Sequence, residues 1–331
     1  MKLINNSEKI FVAGHNGMVG SAICRNLQRN GYSSILKESR KDLDLCDEYS
    51  VREWFKRNKP SIVIIAAAKV GGILANESFP ADFILENLKI QNNIIEQSWK
   101  NGVKRLLFLG SSCIYPKFSN QPIKEEYLLQ SDLEETNKYY AIAKITGIKL
   151  CQALRKQYDF DAISLMPTNL YGPKDNYHLE NSHVIPALIR KFYEAKIYNR
   201  EYVYCWGTGN ALREFLHVDD LADACTFALE EWNPSDMNLP KMETGESLNY
   251  LNVGTGLEIS IKNLATIISK IIGFKGEIKW DTKKKDGTPR KLLNVSKINQ
   301  LGWKAKINLE DGLKSTIDEF IKDYEINNFR K

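Results

Sequence analysis

Apolar residues return in two rhythms along this chain. Up to about residue 172, short aliphatic and β-branched runs alternate with longer stretches whose apolar positions recur every three or four residues. KIFVAG (9–14) predicts a strand, and MVGSAICRNLQRNG (18–31) a helix that ends at Gly31. SSILKES predicts a second strand and EYSVREWFKRN a second helix. SIVIIAAA is apolar without a break, as a strand covered on both faces requires. A long helix is expected over about 81–100, then the strand RLLFLGSS, a helix over about 137–157 and the strand AISLMPTNLYG. This alternation predicts an α/β fold, a Rossmann-type doubly wound parallel sheet with helices on both faces.

Beyond Gly172 the rhythm loosens. SHVIPALIRKFYEAK and ISIKNLATIISKIIG read as helices, YVYCWGTG and YLNVGTG as extended segments, and the final NLEDGLKSTIDEFIKDYEINN as a helix opened by Asn308. A smaller C-terminal α/β unit is therefore expected over the carboxyl ends of the strands, where open sheets take their ligands. The expected division gives 1–174 and 214–257 to a dinucleotide-binding domain, and 175–213 and 258–331 to a substrate-binding domain.

Composition narrows the setting. With 331 residues, 43% of them hydrophobic and 26% charged, the chain has the balance of an ordinary globular protein. No apolar run reaches the roughly 18 residues needed to cross a bilayer. MKLINNSEKIFVAG lacks the apolar centre of a signal peptide, so no membrane partner is expected. The net charge of +5 is spread out; KKKDGTPRK (283–291) comes nearest to a basic run. That run suits either a solvated loop or a clamp on a phosphorylated small molecule, and nucleic acid is not an expected partner. The six cysteines are scattered without a CxxC pair, which points to a reducing cytoplasm and to no bound metal.

Three local patterns carry chemistry. AGHNGMVG (13–20) sets Gly14, Gly17 and Gly20 between the first strand and the first helix. Glycines there let the backbone turn tightly against a pyrophosphate, with the helix N-terminus facing the anion. At the end of the second strand, ESRKDLDL (38–45) offers Arg40 and Lys41 to a 2′-phosphate, since a guanidinium grips phosphate oxygens as a fork. Glu38 points the other way, towards a free ribose; on balance NADP(H) is expected. Finally, Tyr140 and Lys144 lie four apart on a predicted helix, and Ser111 ends a strand in LFLGSSCIYP (107–116). A neighbouring ammonium favours the phenolate, so Lys144 is expected to lower the pKa of Tyr140. A serine, a tyrosine and a lysine suffice to move hydride onto a ketone. They leave Cys113 without a task, and a lone cysteine is usually a small buried hydrophobe.

Together with NLYGP (169–173), these motifs resemble the extended short-chain dehydrogenase/reductase family. AAAKVGGI, NSHVIPALI, REFLHVDD and DGTPRKLL are similar to segments of those members that epimerise and then reduce a GDP-linked 4-keto-6-deoxy sugar, and the likeness runs from about residue 9 to 325. The resemblance implies inversion at C3 and C5, both acidified by the C4 ketone, followed by NADPH-dependent reduction of that ketone. It assigns Tyr140 as proton donor, Ser111 as hydrogen-bond partner of the ketone oxygen, and Lys144 to the ribose. Cys113 and His183 become the additional base and acid. A free thiol, with a pKa near about 8.5, is a weak base until a cation favours its thiolate. Lys144 or His183 is expected to supply that cation.

The same resemblance implies cofactor contacts from Gly14, His15, Asn16, Gly17, Met18, Val19 and Gly20, and from Arg40, Asp44 and Leu45. Leu109, Gly110, Ser111, Lys144, Pro167, Thr168, Asn169, Leu170 and His183 complete that set. Lys191, Trp206, Arg213 and Asp286 are implied for the GDP-sugar, by stacking on the base and pairing with the diphosphate. Some members carry an arginine where Asn16 stands, which leaves more of the 2′-phosphate to Arg40. A homodimer through the two long helices is also implied. A 4-epimerase of the same fold has no use for Cys113, and a 4,6-dehydratase is expected to carry acidic residues where Cys113 and Ile114 stand. A non-catalytic dinucleotide sensor could lose the Ser–Tyr–Lys set, which is intact here.

Overall fold

The computed structural model describes residues 2–178, 181–236, 240–243, 245–284 and 286–329. Strand β1 (Ile10–Ala13) is buried at every position and leads into α1 (Met18–Arg29). A brief β2 (Ile35–Leu36) follows, shorter than SSILKES suggests because only these two residues pair with β1. Helix α2 (Glu48–Asn58) starts where Asp47 accepts from the N–H groups of Tyr49 and Ser50, two donors that would otherwise be unpaired. After β3 (Ile62–Ile65) and the short α3 (Ile73–Ser78), Pro80 opens α4 (Pro80–Lys100) at a position where a missing N–H costs nothing. Then come β4 (Arg105–Leu109), α5 (Lys138–Tyr158), β5 (Ala162–Pro167) and the short β6 (Asn169–Tyr171).

The second half holds α6 (Val184–Ile197), β7 (Tyr202–Trp206), β8 (Leu212–His217), α7 (Val218–Glu231) and β9 (Tyr250–Val253). It ends with β10 (Glu258–Ser260), α8 (Ile261–Ile272), β11 (Glu277–Asp281), β12 (Arg290–Lys291), α9 (Ser296–Gln300) and α10 (Leu309–Glu325). Asn308 caps α10 by accepting from the Asp311 N–H.

Six parallel strands form the main sheet in the order β2-β1-β3-β4-β5-β9. Helices α1 and α7 pack together, as do α2, α4 and α5, and the inner strands β3 and β4 are buried throughout. Arg105, at the start of β4, is buried but paired with Asp161, which Arg155 also holds at 2.9 Å. The chain leaves β1 for β2 on one side and β3 on the other. The crevice over the carboxyl ends of β1 and β3 is the place where such sheets take ligands.

A second hydrophobic cluster joins α6, α8 and α10 through Ile185, Ile189, Phe192, Leu264, Ile268, Leu313 and Phe320. Strands β7 and β11 pair in parallel beside it, while β8 is flanked by β10 and β12 and pairs with β6. Residues 293–303 depart from the expected division. Leu293, Val295, Ile298 and Trp303 bury themselves in the first core. Backbone pairing of Ile123 with Leu293, and the Leu293 N–H donated to the buried Glu214 carboxylate at 2.9 Å, hold them there.

Candidate active site

The glycine loop fits a dinucleotide for a measurable reason. Gly14 has φ +87°, and a Cβ on it would lie 2.7 Å from the Ala67 nitrogen. A Cβ on Gly20 would lie 2.2 Å from the Gly14 oxygen. Backbone packs on backbone here, which only glycine allows. Gly17, at the N-cap of α1, provides no side-chain cap, so the N–H groups of the first turn, Met18 and Val19 among them, remain open to an anion. His15 and Asn16 form the tip of the loop. Behind it, between α1, α7 and α10, Asn16, Lys37 and His217 border a cavity of about 670 Å³ that none of Ser111, Tyr140 or Lys144 lines.

The remaining sequence-derived cofactor residues gather at the carboxyl ends of the strands. Leu109 and Gly110 close β4, and Pro167 to Leu170 close β5 and enter β6. The Thr168 hydroxyl and the Asn169 amide both donate to the Glu214 carbonyl, at 3.2 and 2.9 Å, which ties this edge to β8. Arg40 is exposed beyond β2, while Asp44 accepts from the Cys46 N–H and the Leu45 carbonyl accepts from Asn93, both at 3.0 Å. Glu38 accepts from the Trp54 indole N–H at 2.9 Å, so its carboxylate is turned towards α2.

Ser111, Tyr140 and Lys144 come together where α5 crosses the end of β4. Ser111 caps a short 3₁₀ turn (Ser112–Ile114), its Oγ accepting from the Cys113 N–H at 3.2 Å. Lys144 is buried and donates to the Leu109 carbonyl at 2.9 Å, and its Nζ lies 5.9 Å from the centre of the Tyr140 ring. Phe83 meets the Tyr140 ring edge-on, at 6.4 Å between centres. The expected lowering of the Tyr140 pKa is not what the structure has. Burial raises it, the neighbouring Cys113 adds to the rise, and hydrogen bonding with Ser111 works the other way. Burial brings the Lys144 ammonium down to about 8.

That depressed value makes a pH prediction. Lys144 is cationic below about pH 8 and neutral above, so the donor it offers a ribose weakens on the alkaline side. Dinucleotide affinity is expected to fall severalfold between about pH 7 and about pH 9, read by fluorescence titration; a constant Kd across that range contradicts it.

Cys113 is half-buried. Its sulfur is approached by the Asn137 amide Nδ2 at 3.5 Å and by the Lys291 ammonium at 3.7 Å. Neither partner emerged from sequence reasoning. The cation expected from Lys144 is committed to the Leu109 carbonyl instead. His183 sits, exposed, at the N-cap of α6. The segment before it is docked on the loop after β3, where the Gly72 N–H donates to the Asn181 carbonyl at 2.9 Å.

The four sequence-derived sugar contacts occupy the second unit. Lys191 donates to the Tyr204 carbonyl at 3.3 Å and its Nζ lies 4.9 Å from the centre of the half-exposed Trp206 ring. Lys284 flanks the same ring at 5.1 Å. Arg213 donates to the Asp286 carbonyl at 3.2 Å and interacts electrostatically with Cys113; burial lowers its pKa. The Asp286 carboxylate is itself occupied, accepting from the Thr208 N–H at 2.8 Å and the Thr208 hydroxyl at 2.7 Å, so it shapes the turn beside Trp206. Among the described residues no cluster of three or more His, Cys, Asp or Glu could hold a metal, and no helix is long and apolar enough to cross a membrane.

The model of the NAD dependent epimerase/dehydratase family matches residues 10–239. GDP-L-fucose synthase 1 of Arabidopsis thaliana is 54% identical over 319 residues, 96% of this chain and 95% of that protein. GDP-L-fucose synthase of Escherichia coli is 49% identical over 320 residues, 97% of this chain and 98% of that one. A GDP-L-fucose synthetase from Naegleria fowleri, solved with NADP bound, superposes with a TM-score of 0.86 at 27% identity, covering 99% of this chain and 98% of its own.

Proposed function

The chain belongs to the NAD dependent epimerase/dehydratase family, and from that premise we propose that it makes GDP-L-fucose from GDP-4-keto-6-deoxy-D-mannose. It inverts C3 and C5 and then reduces C4 with NADPH. One observation carries this reading. A thiol with two N–H donors on its sulfur stands beside a complete Ser–Tyr–Lys set, and reduction alone has no need of it.

In this reading each residue has a distinct part. Ser111 holds the C4 oxygen and polarises the ketone, which acidifies the hydrogens on C3 and C5. Cys113, as thiolate, and His183 share the removal and return of one proton at each centre. Nothing is oxidised or reduced in that phase, and the enolate charge rests on the oxygen facing Ser111 and Tyr140. When bound, NADPH supplies the hydride for C4. Tyr140 then gives its proton to the C4 oxygen. Its raised pKa suits an acid that must keep the proton until a far more basic alkoxide appears. Lys144 orients the ribose, and Trp206, Lys191 and Arg213 hold the base and diphosphate of the GDP group by stacking and charge.

NADPH over NADH is supported by Arg40, exposed beyond β2, and by Glu38, one of whose carboxylate oxygens is taken by the Trp54 indole N–H. The test is stoichiometry: one NADPH oxidised per GDP-L-fucose formed, with NADH oxidised at least about tenfold less efficiently. A 4-epimerase or a 4,6-dehydratase would leave NADPH unspent. All six cysteines are free, which suits a reducing cytoplasm. Helices α4 and α5 expose Leu85, Tyr139 and Ile142, apolar surface that a homodimer would cover. Light scattering at micromolar concentration is expected to give twice the chain mass of 37.9 kDa; the mass of one chain contradicts the dimer.

A further inference from the structure

We propose that Lys291 is the positioning residue of the epimerisation, its ammonium serving as the counter-ion that holds Cys113 in the thiolate form. The proposal rests on the GDP-sugar reading above and adds a residue to it. Lys291 belongs to β12, whose parallel pairing with β8 sets it directly opposite Arg213. The strand is fixed on both sides of Lys291. Arg290 is clamped to Glu258 at 2.8 and 3.0 Å, and the Leu292 N–H is donated to Gln121 at 2.8 Å. The ammonium is thereby brought within 3.7 Å of the Cys113 sulfur.

The nearby carboxylates are engaged elsewhere. Glu134 pairs with Lys117 at 2.9 Å and Glu258 with Arg290, and among the described residues Lys291 forms no ion pair with a carboxylate. The charge of Lys291 is therefore directed at sulfur. Asn137 adds a second donor at 3.5 Å, and a sulfur that two N–H groups approach is placed as an acceptor, which suits a thiolate far better than a thiol. Among the described residues Arg213 and Tyr140 also interact electrostatically with Cys113, and Lys117, Glu134 and Arg290, each paired as above, line the same small cavity. Arg213 acts in the same sense as Lys291, and Tyr140 is a neutral phenol with its proton on. When the thiolate takes a proton from carbon, sulfur becomes a neutral thiol and Lys291 keeps its charge throughout.

The test uses the intact enzyme without sugar. Alkylation of Cys113 by iodoacetamide is followed by peptide mass spectrometry across a pH range. K291M is expected to slow it roughly tenfold at about pH 7 and to move the pH–rate curve upward, whereas K291R stays within a few-fold of the parent. K291Q repeats the comparison if K291M fails to fold, and circular dichroism with NADPH titration monitors folding. Unchanged alkylation rate and pH profile in K291M or K291Q overturn the proposal. Deuterium uptake from solvent into the sugar separates this result from the wider reading. A parent enzyme that takes up none refutes the epimerase function whatever alkylation shows, while uptake reduced in K291M and kept in K291R supports both.

Discussion

Tyr140→Phe is expected to lower C4 reduction by two to four orders of magnitude, with NADPH affinity held within a few-fold. The proposed reading has the phenol protonate the C4 oxygen, and a positioned general acid contributes on the order of 10²–10⁴ in rate. The substitution removes only the hydroxyl. The ring keeps its edge-on contact with Phe83, and Lys144 keeps its bond to the Leu109 carbonyl, so the cleft stays assembled. Proton exchange at C3 and C5 is expected to continue at a lower rate, because the proposed reading gives it to Cys113 and His183 and leaves Ser111 facing the enolate oxygen. Steady-state NADPH oxidation and proton NMR of the sugar in deuterated water measure the two phases. A reduction rate within about tenfold of the parent would remove Tyr140 from its assigned role.

Cys113→Ser separates the chemistry from the other side. A serine hydroxyl is nearly the same size as the thiol and preserves the short turn that Ser111 caps. It is far less acidic, however, and gains little anionic character from the ammonium at Lys291. Inversion is expected to fall by roughly two to four orders of magnitude. Reduction persists, since Ser111, Tyr140 and Lys144 are untouched. The variant should therefore consume NADPH while delivering a reduced GDP-sugar with the original configuration at C3 and C5. NMR of the product distinguishes the two sugars, and GDP-L-fucose formed at the parent rate would show that the thiol is not the base.

Local rules reached most of the fold. Unbroken apolar runs became β3 and β4, buried on both faces, and the capping residue Asn308 marked where α10 begins. Ser111, Tyr140 and Lys144 are legible because each occupies a fixed place on its own element, at a strand end or one turn apart on a helix. What escaped was contact between distant segments. Lys291 lies in a basic run that reads equally well as a solvated loop, and β12 is only two residues long, too short to show a period. Its pairing with β8, which brings Lys291 to Cys113, has no signature along the chain. Residues 293–303 return to the first core for the same reason, drawn by Glu214 and by pairing with Ile123.

The expected lowering of the Tyr140 pKa failed for an instructive cause. Spacing four residues apart predicts that ammonium and phenol share a helix face, which is correct. It cannot reveal that the ammonium turns to the Leu109 carbonyl or that burial outweighs the nearby charge. Burial therefore lowers the Lys144 pKa and raises that of Tyr140, which keeps its proton.

The central claim is that one ketone is used twice, first to loosen its neighbouring protons and then to receive hydride. The most direct measurement is incubation of the enzyme with GDP-4-keto-6-deoxy-D-mannose and NADPH in deuterated water, followed by NMR of the product. The account predicts GDP-L-fucose with solvent deuterium at both C3 and C5. A reduced sugar that keeps protium and the starting configuration at those two carbons would contradict it.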